Sequence, residues 1–189
     1  DGKINIVLND IVHSKNSNFD SHNIQFQSTW RYWDKDVAQD AQIFRSKVNQ
    51  KAKELVRIFK IKGFSFDNEF SESIINHAFH WLLRFDVPLL VNQVVLARRI
   101  TKLHNPSLFI SPDVADIRSR VFTLVAKQEK IPMLELQYGS CEEHSYEWSF
   151  LLADHIAVWG EQAWENLLKL GVLERQMTVT GTVRSDSLV

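Results

Sequence analysis

The residues best suited to chemistry fall in four short segments, each trailing an apolar run: SPDVAD (111–116), YGSCEEH (138–144), WGEQAW (159–164) and GTVRSD (181–186). A carboxylate held beside a hydroxyl can remove its proton as a general base. Asp113 suits that role, because it follows the run SLFIS directly and heads a helical pattern. The same position suits a cap, with Ser111 or Asp113 accepting first-turn N–H bonds. The two roles are compatible, and both stay open.

In the second segment, Gly139 allows a turn or close backbone approach that a side chain would block. Tyr138, Glu142, Glu143 and His144 surround it, and a histidine carries protons near neutral pH. Taken by itself the cluster reads first as a solvated acidic loop with an incidental histidine. No second histidine stands at ligand spacing, so no metal site is expected. Glu161 suits a helix start, and Trp159 and Trp164 read as packing residues or sugar platforms. In the last segment, Gly181, Arg184 and Asp186 read as an anion site or interdomain hinge, or as a surface ion pair. The chain carries no GxxxxGK[ST], GxGxxG, GxSxG or HExxH motif.

The elements that must position these residues follow from periodicity. INIVL (4–8) reads as a strand, whereas residues 13–35 show neither helical nor strand period and read as irregular. Val37, Ala41, Phe44, Val48, Ala52, Leu55 and Phe59 recur at steps of three and four, which predicts a long helix stopped by Gly63. A second helix follows, capped by Ser71, Glu72 or Ser73. A third begins near Asp86 and Pro88. After Pro106 short apolar runs alternate with helical stretches: SLFIS, IPMLELQ, HIAVW and MTVT as strands, with helices over 114–125 and 163–170, the latter closed by Gly171. Right-handed crossovers then predict an α/β fold, a Rossmann-like open parallel sheet with flanking helices, preceded by a helix-rich N-terminal segment. Ligands of such sheets sit beyond the carboxyl ends of the strands, where all four segments lie. The expected division is an N-terminal strand, irregular segment and long helix over 1–70, then the sheet-bearing domain over 71–189.

Bulk properties narrow the function classes. At 189 residues and 44% hydrophobic, the chain can bury a sizeable core. Lys plus Arg is 22 against 23 for Asp plus Glu, so no overall field draws it to nucleic acid. One cysteine, Cys141, excludes an internal disulfide and a thiolate zinc cluster, and points to a reducing, cytoplasmic compartment. No apolar run is long enough for a transmembrane segment. Beginning at Asp1 and ending at Val189, just past a glycine turn, the sequence reads as an excised piece of a longer polypeptide.

Taken in order, NPSLFISPDV, IPMLELQYG, ADHIAVWGEQAWENLLKLGV and MTVTGTVRSDSL resemble the N-terminal, acceptor-side domain of GT-B glycosyltransferases. The nearest likeness is to bacterial surface and capsular polysaccharide transferases and teichoic-acid glycerophosphotransferases. It covers about residues 70–189 and is most specific over the last 40. Tyr138 stands where many of those families have histidine, and Val183 where they often have proline. The resemblance implies a two-domain enzyme whose C-terminal, donor-binding domain is absent here, so the fragment is expected to be inactive alone. It implies a nucleotide-sugar donor for the full-length enzyme, no cofactor in this fragment, and a glycan or lipid-linked glycan acceptor. The full-length protein is expected to be cytoplasmic or peripheral at the inner membrane. On this view Asp113 and His144 are the catalytic candidates, Tyr138, Gly139, Glu142 and Glu143 bind acceptor, and Gly181, Arg184 and Asp186 form a hinge or anion site. A UDP-sugar 2-epimerase-like half, a noncatalytic ligand-binding α/β domain, and an interaction module using the helices over 37–104 are the alternatives.

Overall fold

The computed structural model describes residues 5–9, 24–61, 69–112 and 116–182. By its contacts the chain divides into two compact units, Asp1–Ile100 and Thr101–Val189.

The first unit pairs strand β1 (Asn5–Asn9) in parallel with β2 (Ile24–Ser28). β2 lies within the stretch expected to be irregular. Its IQFQS letters do alternate, but five residues among Asn, Ser and His offer too short a period to stand out. Helix α1 (Lys35–Ile61) starts where Asp34 Oδ1 accepts the Val37 N–H at 2.9 Å. Its predicted stripe is buried at Val37, Ala41 and Ala52. Gly63, expected to stop the helix, lies outside the described residues.

Helix α3 (Val87–His104) begins near Asp86 and Pro88 as expected, and α2 (Glu69–Trp81) runs into it without a break. A π-helical turn, Leu82–Asp86, carries one into the other, with the Val87 N–H bonded to Leu82 O. Pro88 lacks an N–H and its ring crowds the preceding carbonyls, and a wider turn accommodates both defects without ending the helix. α2 also begins at Glu69, which places Ser71, Glu72 and Ser73 inside it rather than at its cap. Val91, Val95 and Leu96 of α3 pack with Val37 and Ala41 in one core. Leu96 is fully enclosed, and burial of such a side chain contributes about 1.5–3 kcal/mol.

The second unit is a Rossmann-like open α/β arrangement. Strands β3 (Phe109–Ser111), β4 (Met133–Leu136), β5 (His155–Val158) and β6 (Met177–Val179) form a wholly parallel sheet in sequential order. Helix α4 (Ile117–Gln128) packs on β3 and β4, and α5 (Glu161–Lys169) on β5 and β6. Register puts Ser111, Glu135, Ile156 and Met177 in one row on one face. Both helices cover that face: Ala126 of α4 clusters with Met133, and Ala163 and Leu167 of α5 cluster with Ile156, Val158 and Met177. Sequential order with crossovers of one hand requires this one-sided layering. The expected four strands, their parallel sense and the flanking helices are all present. No described helix is long and apolar enough to cross a membrane.

Asp154 sets the register of the two central strands. Its carboxylate accepts the Met133 N–H at 2.9 Å while its own N–H donates to Met133 O at 3.1 Å. The Asp of ADHIAVWG is therefore a clip at the start of the ladder.

α5 ends in a Schellman turn: the Val172 N–H reaches Leu167 O, the Gly171 N–H reaches Leu168 O, and Gly171 has φ +91°. This is the glycine stop read from the letters. α4 ends in the same bonds, Ile131 N–H to Ala126 O and Lys130 N–H to Lys127 O, but with Lys130 at φ +58°.

Candidate functional site

Sheets of this class open a crevice where strand order reverses. No reversal occurs among the described strands, so an opening must come from the loops. The connection from β4 to β5 supplies one. It carries a 3-10 turn, Tyr146–Phe150, instead of a full helix, and it leaves an open depression of about 660 Å³ against the start of α5. That volume lies within the range of small-molecule sites, about 300–1,000 Å³.

Gln137, immediately after β4, organises the floor. Its backbone N–H continues the ladder to Ala157 O at 3.0 Å. Its side chain donates from Nε2 to Gly139 O at 2.8 Å and accepts the Trp159 N–H on Oε1 at 2.8 Å. One buried amide thus ties the loop after β4 to the loop after β5. Asn166 of α5 adds a second tie, donating from Nδ2 to Cys141 O at 2.7 Å, and it too is buried. The loop closes on itself as well: the Glu142 N–H donates to Ser145 Oγ at 3.2 Å and the Ser145 N–H to Glu142 O at 3.0 Å. The 139–145 backbone is therefore held at three points.

Around the depression the groups are mixed. Gln162 offers an amide and Glu142 and Glu143 carboxylates, the half-buried Trp159 lines the wall, and the amides of Gln137 and Asn166 are committed to the ties just described. Lys169 Nζ lies 3.6 Å from Glu143 Oε2 in an exposed pair. Cys141 lines the wall but is buried, and burial, with the Glu147 charge adding to it, pushes its thiol up to about 11. Such a thiol stays protonated at neutral pH and is a poor nucleophile.

Of the residues expected to bind acceptor, Glu142 and Glu143 line this depression and Tyr138 and Gly139 do not; nor does His144, one of the two catalytic candidates. Tyr138 stacks on Trp148, with ring centroids 5.6 Å apart and planes at 26°, and so packs against the core beneath. Trp148 is fully buried, and its Nε1 has no hydrogen-bond partner among the described residues. Gly139 has neither a positive φ nor, among the described residues, any neighbour within 4 Å of where a Cβ would stand. Neither a left-handed turn nor close backbone approach therefore requires glycine at 139. His144 is exposed on the loop. Gly181 does hold φ +78° just past β6.

Asp113, Arg184 and Asp186 lie outside the described residues. The cap of α4 is Asp116 rather than Ser111: its Oδ2 accepts the N–H groups of Arg118 and Ser119, both at 3.1 Å. The expected start of α4 near Val114 shifts to Ile117 accordingly.

Gln137 and Asn166 were not among the expected site residues. The only signal in the letters is the alternation Met133, Glu135, Gln137, with two polar residues sharing a face with Met133. That face is the buried one: Glu135 is 2% exposed and Gln137 7%, while Leu136 on the opposite face is 38% exposed. Polar side chains on the buried face of a parallel strand mark a site or a structural tie. No protein-family model, curated protein or solved structure matches the chain.

Proposed function

We propose that the chain is the acceptor-binding half of a glycosyltransferase that moves a sugar from a nucleotide-sugar donor to a glycan acceptor in bacterial surface polysaccharide synthesis. The observation that carries this reading is the depression at the carboxyl ends of β4 and β5, because WGEQAW, one of the two loops that build it, lies within a segment that carries the resemblance, and the other, YGSCEEH, continues from the end of a second. Its composition supports a polyhydroxylated ligand. An amide and carboxylates give directional partners for hydroxyl groups, and an indole gives an apolar face for a sugar ring. Donor grip would belong to a second domain, so the 189-residue chain is expected to bind glycan without transferring sugar. Asp113 and His144 remain the base candidates for the acceptor hydroxyl in this scheme.

The test is ligand-observed NMR on the 189-residue chain, with neutral oligosaccharides on one side and UDP-, GDP- and TDP-sugars on the other. Saturation transfer to the oligosaccharides, lost in Trp159→Ala, is the expected result. Transfer to the nucleotide sugars and none to any oligosaccharide would place donor rather than acceptor recognition here and overturn the proposal.

A further inference from the structure

We infer that the depression selects its ligand by charge, taking an uncharged polyhydroxylated group and disfavouring the same group bearing a carboxylate. The inference rests on the acceptor-site reading and deepens it.

Three formal charges line the depression: Glu142, Glu143 and Lys169. The lysine lies 3.6 Å from the Glu143 carboxylate, so those two charges largely cancel at the distance of a bound ligand. Glu142 then leaves the rim net negative. One feature opposes this. The N-terminus of α5 opens beside the depression at Gly160, and a helix start carries a partial positive charge, roughly half an elementary charge. The full charge of Glu142 exceeds that half charge, however, and Glu161, in the first turn of the helix though outside the lining, adds to it. Neither Arg118 nor Arg120 of α4 is among the lining groups. An anion entering here meets a negative field that the dipole does not reverse.

The rim is solvated, so the discrimination is moderate. A ligand carboxylate several ångströms from Glu142 in a high effective dielectric should bind about three- to tenfold more weakly than its neutral counterpart. Screening at high salt should shrink the difference, because the Debye length falls from about 10 Å at 0.1 M to about 3 Å at 1 M.

The experiment measures Kd by NMR titration of the 189-residue chain with matched neutral and uronic acid trisaccharides of the gluco, galacto and manno series. The expected result is tighter binding of the neutral member of whichever series binds, a gap that narrows in Glu142→Gln and in Glu143→Gln, and a gap that widens in Lys169→Ala. Glu143→Gln acts twice, removing one negative charge and releasing Lys169. All three side chains are exposed, so folding should be preserved in each variant. Equal or tighter binding of the uronic acid, or a gap indifferent to Glu142→Gln and Glu143→Gln, overturns the inference while leaving the acceptor site standing. Binding of no trisaccharide from any series overturns the acceptor-site reading, and the inference falls with it.

Discussion

Gln137 holds together two loops whose sequences lie 22 residues apart, and it does so with a single amide that has both a donor and an acceptor to give. Asparagine or glutamine is the residue type for this task, because a carboxylate cannot donate to Gly139 O and a hydroxyl cannot span the gap. Gln137→Leu keeps the volume but orphans Gly139 O and the Trp159 N–H, so it should cost about 1–3 kcal/mol in urea denaturation. The same substitution should weaken glycan binding, since the walls of the depression lose their tie. A second residue-scale prediction concerns Cys141. With its thiol pushed up to about 11, chiefly by burial, the thiolate fraction at pH 8 is small. Alkylation by iodoacetamide at pH 8 should run at least about a hundredfold slower than for a free cysteine, and should speed up about tenfold per pH unit. Reaction at the rate of an exposed thiol would show that the wall opens readily. The raised thiol also has a stability sign: the folded form is favoured while the thiol is neutral, and that contribution declines as pH rises above the unfolded value of 9.0.

At the scale of elements, the two Schellman turns form a natural comparison. Gly171 holds φ +91° at no steric cost, whereas Lys130 holds φ +58° with a Cβ that crowds its neighbouring carbonyl. Lys130→Gly should therefore stabilise the protein by about 0.5–1 kcal/mol, the relief of strain being partly offset by greater freedom of the unfolded chain. Gly171→Ala should destabilise by about 1–2 kcal/mol, and thermal melts of the two variants should move in opposite directions. These ends show which parts of the fold were legible. Gly171 announces itself, and so do β3 to β6, because each is an apolar run bounded by turn residues and separated by a helical period. What escaped is what depends on partners distant in sequence. β2 is too short to betray a period without its pairing to β1. Pro88 marks the start of α3 in the letters but does not say how the helix before it joins, because a π turn accommodates a proline as well as a break does. Asp116 caps α4, and the helix starts at Ile117, three residues later than periodicity implied. The loops around the depression could be placed from strand ends alone. Of the ties that shape them, Gln137 shows only in the alternation Met133, Glu135, Gln137, which reads as a tie once that face is known to be buried, and Asn166 inside a helix has no distinctive pattern.

At the scale of the whole molecule, each of the two compact units has a hydrophobic cluster of its own among the described residues. Leu96 packs with Val37, Ala41, Val91 and Val95, and Leu167 packs with Trp148, Ile156, Val158 and Met177. Both leucines are essentially unexposed, so Leu96→Ala and Leu167→Ala remove the same atoms from equally closed sites. Each should cost about 2–5 kcal/mol, but hydrogen exchange should report the losses in different places: α1 and α3 amides for Leu96→Ala, β4, β5 and α5 amides for Leu167→Ala. The first unit carries its own pH signature. Asp34 is held below the ordinary carboxylate range, first by the Val37 N–H that it caps and then by the Arg99 guanidinium, 3.2 Å away. A carboxyl whose folded pKa is depressed contributes stability that is fully present above its unfolded value and is lost as pH falls through the folded value. Protection of the α1 amides should accordingly hold from neutral pH down to about 4 and then decline, while Asp34→Asn should remove Asp34's share of that decline without affecting β4 and β5. Salt separates the two causes. The exposed Arg99 pair is screened at about 1 M, whereas the directional bond to Val37 is not, so the greater part of the acid sensitivity should survive high salt. Loss of all of it in salt would transfer the main role from the cap to the ion pair. A pH dependence that moved β4 and β5 amides in step with α1 would show that the two cores unfold as one.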